Sequence, residues 1–280
     1  MKKSNLTTMK KVFMALGLAL IYMLAFRSAG ACIRKIMPDQ NTMLPFLLRE
    51  AAGTVIALVL LIVFRKTHLL KCQRGSFKEG IGAGAFDIVL NAFSALLTML
   101  TFFGHKLNSL PDILLFLAAV LLIGVSEELV FRGTVFDFVH DAFGSSTHAG
   151  AVRTALVSGC IFGVMHLFNL TGSEKPAAVF CQAAAVCGVG IFMGAVYLRC
   201  RNLWIMMLMH AFSDFVPLLK TGFLAEGTIT NAIDSHDLRT IMLGAIYALI
   251  GLYLLRPEKM HYTEPDHGAE QQDLTAHHSA

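Results

Sequence analysis

The stretch Ile113–Gly133, ILLFLAAVLLIGVSEELVFRG, decides the fold. An apolar run from Ile113 to Val125 closes on two adjacent acids, Glu127 and Glu128, with Arg132 one helical turn beyond Glu128. A charged side chain at bilayer depth costs roughly 2.5–3.5 kcal/mol on insertion scales, so acids that close such a run face a protein interior or an aqueous cavity. The run therefore reads as a transmembrane helix that carries a functional site.

Composition extends this reading to the whole chain. Hydrophobic residues make up 55% of the 280 and charged residues 15%, with a mean hydropathy of +0.63; an average soluble domain carries about 25% charged residues. Apolar stretches near the roughly 20 residues that cross a bilayer centre on 12–32, 44–64, 80–103, 112–131, 154–170, 176–198, 202–219 and 240–256. The expected fold is an all-α polytopic membrane bundle of about eight transmembrane helices. Polar groups interrupt the stretches at 154–170 and 202–219, which are the weakest by hydropathy.

Basic residues set the expected orientation. With the N-terminus cytoplasmic, Lys2, Lys3, Lys10, Lys11, Arg65, Lys66, Lys71, Arg74 and Lys78 all fall inside, against Arg27, Arg34, Lys35 and Arg49 outside. An even number of spans with both termini cytoplasmic satisfies the positive-inside rule. Lys10 and Lys11, the run from Val12 to Phe26 and the small residues before Cys32 imitate a signal sequence. Further spans follow without a soluble domain, so this segment reads as the first transmembrane helix.

The six cysteines form no C-x-x-C pair and read as packing residues. The net charge of +4 sits mainly in the expected cytoplasmic loops, which suits contact with membrane lipids and not nucleic acid. The chain divides into three N-terminal spans with their loops (1–109), a core that carries the motifs (110–220), an outer loop and last span (221–256), and a polar tail (257–280) whose composition is that of a disordered cytoplasmic segment.

Two further motifs accompany the glutamate pair. Phe162 and His166 in CIFGVMHLF, and His210 and Asp214 in MMLMHAFSDF, each lie at i and i+4 and so share a helix face. Glu128 and Arg132 share a face too, whereas Glu127 points about 100° away. Arg132 would anchor Glu128 and leave Glu127 or its neighbour free to take a proton from water. Two imidazoles and the carboxylates could polarise a carbonyl, stabilise an oxyanion or bind a divalent metal such as zinc, with Glu127, His166, His210 and Asp214 as the candidate ligands. Phe162 reads as a wall of the substrate pocket. Asp87 with Asn91 on the third span, and Arg49 with Glu50 opening the second, either line the same cavity or pair between helices, and the structural reading is preferred.

Glu127-Glu128-x-x-x-Arg132, Phe162-x-x-x-His166 and His210-x-x-x-Asp214 together resemble the three signature motifs of the CPBP intramembrane proteases, which include CaaX prenyl proteases and bacteriocin-processing enzymes. The resemblance spans about Leu110 to Leu219. It implies a helical bundle around a cavity, with Glu127 activating water, His166 assisting, and His210 and Asp214 binding an oxyanion or a metal. It also implies a peptide or lipid-modified protein substrate, and fits a bacterial cell membrane. Both metal-dependent and glutamate-type mechanisms are described in the family. Two other readings stand beside the endopeptidase: a catalytically silent scaffold of the same fold, serving bacteriocin immunity or regulating another membrane protein, and a proton-coupled transporter. A hydrolase gathers these side chains in one place; a proton relay strings them across the membrane.

Overall fold

The computed structural model describes residues 2–38, 42–72, 74–224 and 229–260, and all regular structure among them is helical. Six helical runs are long and apolar enough to cross a membrane: Leu6–Ile36, Met43–Val63, Leu110–Phe143, His148–Thr171, Pro176–Cys200 and Leu203–Leu224. They contain α1 (Lys2–Ile36), α2 (Met43–Val63), α5 (Leu110–Val130), α6 (Phe136–Phe143), α7 (His148–Met165), α8 (Pro176–Cys200) and α9 (Leu203–Leu224). The protein is a multi-pass helical membrane bundle.

Two of the eight expected spans differ. The third is broken into α3 (Ser76–Ala83) and α4 (Ala85–Leu100), which meet at Gly84 with a bend of 64°. The pair counts as a seventh span if the two halves cross together. The last is α11 (Leu238–Leu254), preceded by the short α10 (Ile229–Asp234). Its 17 residues rise about 25 Å, less than the roughly 30 Å of a hydrocarbon core. Of the tail expected at 257–280, residues 261–280 lie outside the described residues, as do 225–228 of the outer loop.

Local chemistry fixes the helix ends. Ser109 caps α5 by accepting from Asp112 N, with Pro111 in the first turn, where its missing N–H costs no helical bond. Thr147 caps α7 through Gly150 N, and Asp237 and Thr240 form a capping box on α11. In lipid the backbone must satisfy itself, so the interior of each span is left to side-chain packing.

Small residues set the packing. Glycines bring α7, α8 and α11 into near-backbone contact: Gly159 meets Gly190, and Gly188 meets Gly244. Gly124 does the same for α5 against α9. A Cβ there would stand 2.7 Å from Ala211 N, well inside ordinary contact, so only glycine lets these two helices meet at this level. Glu128 lies one turn further along the same face of α5, and His210 flanks Ala211 on α9. Beyond Val130 the chain widens into a π turn, Phe131–Val135, in which Thr134 Oγ reaches the carbonyls of Val130 (2.7 Å) and Leu129 (3.2 Å). Such turns rotate the residues that follow, and they recur at functional sites.

Candidate active site

Glu128 is fully buried at the end of α5. Its Oε1 accepts from Arg132 Nη1 at 2.7 Å and lies 2.7 Å from His210 Nδ1 on α9. Its Oε2 is buried and has no hydrogen-bond partner among the described residues. Arg132, 3% exposed at its side chain, also lays its guanidinium over the ring of Phe162, 4.7 Å from the centroid. Glu128 is thus fixed from two sides, by a guanidinium of its own helix and an imidazole of another.

Glu127 points elsewhere, as the 100° offset requires. Its side chain keeps 27% exposure, and Oε2 stands 3.6 Å from His210 Nε2. Asp214, 35% exposed, brings Oδ2 to 3.5 Å from the same nitrogen. The two nitrogens of His210 are therefore divided, Nδ1 to the buried acid and Nε2 between the two accessible ones. A neutral ring that donates from Nδ1 presents a lone pair at Nε2. Nε2 faces two carboxylates, 3.6 Å from Glu127 Oε2 and 3.5 Å from Asp214 Oδ2.

His166 begins the short 3-10 turn His166–Thr171 that ends α7, and its Nδ1 lies 3.1 Å from the Phe162 carbonyl. Phe162, 3% exposed, stands edge-on to both imidazoles, with centroid separations of 5.1 Å to His166 and 5.7 Å to His210, and packs on Phe131 at 4.8 Å. Its ring backs the histidines from behind. The three sequence motifs thus meet at one place, with Phe162 as the hub between them.

Each imidazole has Nδ1 turned to a carboxylate or carbonyl oxygen and Nε2 left for chemistry. Metal-ligating histidines show this arrangement, so the donor set fits a divalent ion. The three side chains that already bring ligand atoms within 4.8 Å of one another lie elsewhere, at Asp137, His140 and Asp141 on α6. There Lys66 pairs with Asp137, while Arg201 Nη2 donates to His140 Nε2 at 3.0 Å and Ser145 Oγ lies 2.7 Å from it. Cations occupy that group, and it reads as an ion-pair network joining α6 to the loops beside it.

Sequence reasoning had no place for Tyr22. It is buried on α1, packs edge-on to Phe131 (6.4 Å) and faces Ser126 and Glu127. A lone tyrosine within the first apolar run was the available signal. Glu50 is buried on α2, holds Arg49 at 2.6 Å and lies within electrostatic reach of Glu127 and Asp214. The N-terminal helices thus contribute walls to a site whose motifs all lie later in the chain. An apolar groove between α5 and α9 is lined by Leu117, Val120, Leu121, Ala211, Phe212 and Phe215, the last of which follows Asp214 in sequence.

These features define a membrane-embedded helical bundle with carboxylates, imidazoles and a buried guanidinium gathered at one site. Residues 108–216 match the family described as Rce1-like, type II CAAX prenyl endopeptidase. With the three motifs, the match supports the resemblance of this segment to the CPBP family. No curated protein matches the chain.

Proposed function

We propose that the protein is an intramembrane endopeptidase that hydrolyses a peptide bond of a membrane-associated or prenylated substrate with water activated by Glu127. The carrying observation is the division of His210, with Nδ1 on the buried Glu128 and Nε2 between Glu127 and Asp214. Glu127 is the more exposed of the paired glutamates and would accept a proton from water as the oxygen adds to the carbonyl carbon, then deliver it to the leaving amine nitrogen. His166 and His210 would face the oxyanion that forms. Glu128 and Arg132 orient the His210 ring, and Asp214 flanks it; an ionised Asp cannot donate to an oxyanion, so its role is orientation or ligation. A divalent ion held by Glu127, His166, His210 and Asp214 would supply Lewis-acid polarisation of the same carbonyl.

The gathered arrangement favours hydrolysis over a transporter's relay, and a silent scaffold has no use for Glu127 beside His210. The apolar groove between α5 and α9 suits a substrate held at the bilayer by an apolar segment or a lipid. We place both termini in the cytoplasm of a bacterial cell membrane, following the basic loops.

The test compares protein termini by mass spectrometry in cells that express the native chain or Glu127→Ala at matched levels. New termini that require Glu127 would support proteolysis and identify a substrate. Identical terminal profiles, with a phenotype that survives the substitution, would move the assignment to the scaffold.

A further inference from the structure

We propose that Asp87 is a positioning residue of this site: through Ser213 it sets the rotation of α9, and so aims His210 and Asp214 at Glu127 and Glu128. The inference rests on the peptidase reading for its kinetic consequence, and on geometry alone for its structural one.

Asp87 is 1% exposed, on α4 three residues past the bend at Gly84. Burying a carboxylate in a membrane bundle is costly unless donors surround it, and three groups here can donate. Tyr247 Oη of α11 donates to Oδ1 at 2.8 Å and Asn91 Nδ2 at 2.9 Å, and Ser213 Oγ of α9 lies 3.1 Å from it, the same distance as from the Met209 carbonyl one turn back on its own helix. Asn91 Nδ2 also lies 3.2 Å from Ser213 Oγ, which closes the network on α9. One carboxylate therefore ties three helices that are far apart in sequence, and two of them lie outside the family-matched segment.

Ser213 stands between His210 and Asp214 in sequence, about 60° around the helix from His210 at 100° per residue. The face of α9 that meets α4 thus adjoins the face that carries the chemistry. The contact is built along its whole length: Gly80 receives Ile205, Gly84 receives Met209, and Asp87 receives Ser213. The bend at Gly84 is what keeps the broken span against α9. Meanwhile α9 is weakened at this level, because Pro217 has no N–H to offer the Ser213 carbonyl four residues back. An external anchor on Ser213 compensates for the missing internal bond.

The lever is short and stiff. Side chains on a helix lie about 5–6 Å from its axis, so a 10° rotation of α9 moves the His210 ring by about 1 Å, and a misplacement of that size costs on the order of 100-fold in rate. The network should therefore govern turnover more than substrate binding.

The experiment uses the full chain in lipid nanodiscs with a farnesylated CaaX peptide as probe, and two readouts. Asp87→Ala is expected to lower kcat about 100-fold with KM within about 2-fold of native, and Ser213→Ala to lower kcat in the same direction. Asp87→Asn, which keeps acceptor and shape, should restore kcat to within a few-fold. In parallel, the 15N signals of the His210 ring, assigned by their loss in His210→Gln, should shift in Asp87→Ala and stay near native in Asp87→Asn. Should Asp87→Ala fail to fold, Ser213→Ala and Tyr247→Phe carry the same comparison. A native kcat and unmoved His210 signals would overturn the proposal. So would an Asp87→Asn protein as inactive as Asp87→Ala, since the carboxylate charge itself would then be required. If the native protein cleaves no peptide, the peptidase reading fails alone, and the His210 signals still decide whether Asp87 positions the ring.

Discussion

Arg132→Met is the perturbation whose cost the structure fixes best, because it needs no knowledge of the substrate. The Glu128–Arg132 bond is 2.7 Å long with side-chain exposures of 0% and 3%. An exposed pair of the same length would contribute about 0–1 kcal/mol. Removing one partner of a buried pair typically costs about 3–5 kcal/mol, and here it leaves Glu128 with the His210 imidazole as its one remaining partner among the described residues. Met fills most of the volume of the arginine stem, so little of that cost is cavity. The guanidinium also lies 4.7 Å from the Phe162 centroid, a contact of roughly 0.5–2 kcal/mol. The expected loss is therefore about 3–7 kcal/mol, measured by reversible SDS unfolding in mixed micelles. The double variant Glu128→Leu with Arg132→Met should recover part of it, since the apolar pair removes the buried ion pair while His210 Nδ1 loses its acceptor. Arg239→Ala provides the comparison: its partner is Asp237, its side chain is 91% exposed, and the loss should stay within about 1 kcal/mol. A loss below about 1 kcal/mol for Arg132→Met would refute the claim that Arg132 holds the buried Glu128.

Gly124→Ala should lower peptidase turnover on the order of 100-fold while the protein still inserts and folds, because the added methyl, 2.7 Å from Ala211 N, pushes α9 from α5 by about 1 Å; kinetics on a purified sample would show it. Gly244→Leu places a side chain against the backbone of Ala185 on α8 and should destabilise by about 1–3 kcal/mol in the same unfolding assay. The orientation can be read from native cysteines: Cys32, near the end of α1, and Cys72, in the loop after α2, are both exposed. On intact cells a membrane-impermeant maleimide should label Cys32, and label Cys72 only after permeabilisation. The reverse pattern would invert the bundle.

What could be read in the sequence was whatever a single helix dictates. Spacing alone put Arg132 on the face of Glu128 and turned Glu127 away, because 100° per residue leaves no alternative within one helix. The runs at 154–170 and 202–219 read as weak spans, yet both belong to helices that qualify by length and composition. Their polar residues, His166, His210 and Asp214, are the site's own. What could not be read is what two helices decide together. Nothing local says that His210 Nδ1 reaches Glu128 and not Asp214 one turn away on its own helix. The broken third span was hidden for the same reason: Gly84 resembles other glycines in apolar runs, and only its packing on Met209 gives the bend a purpose.

Asp87 joins these two levels. As a sequence feature it is an acid one turn from Asn91 on the third span, read as pairing between helices; a local bond to Asn91 also forms, at 2.9 Å. The bonds to Ser213 and Tyr247 lie 126 and 160 residues away, beyond any periodicity argument. They nevertheless bear on the motif most directly, since Ser213 is one of the three residues between the imidazole and the carboxylate of the last signature. A pattern at i and i+4 guarantees that His210 and Asp214 share a face; it does not choose the direction in which that face points. In this bundle the choice falls to residues outside the motifs. Gly124 sets how near α9 comes to α5, and Asp87 sets how it is turned. Transplanting the three motifs onto a helical bundle without these two constraints should therefore reproduce the residue set without its alignment.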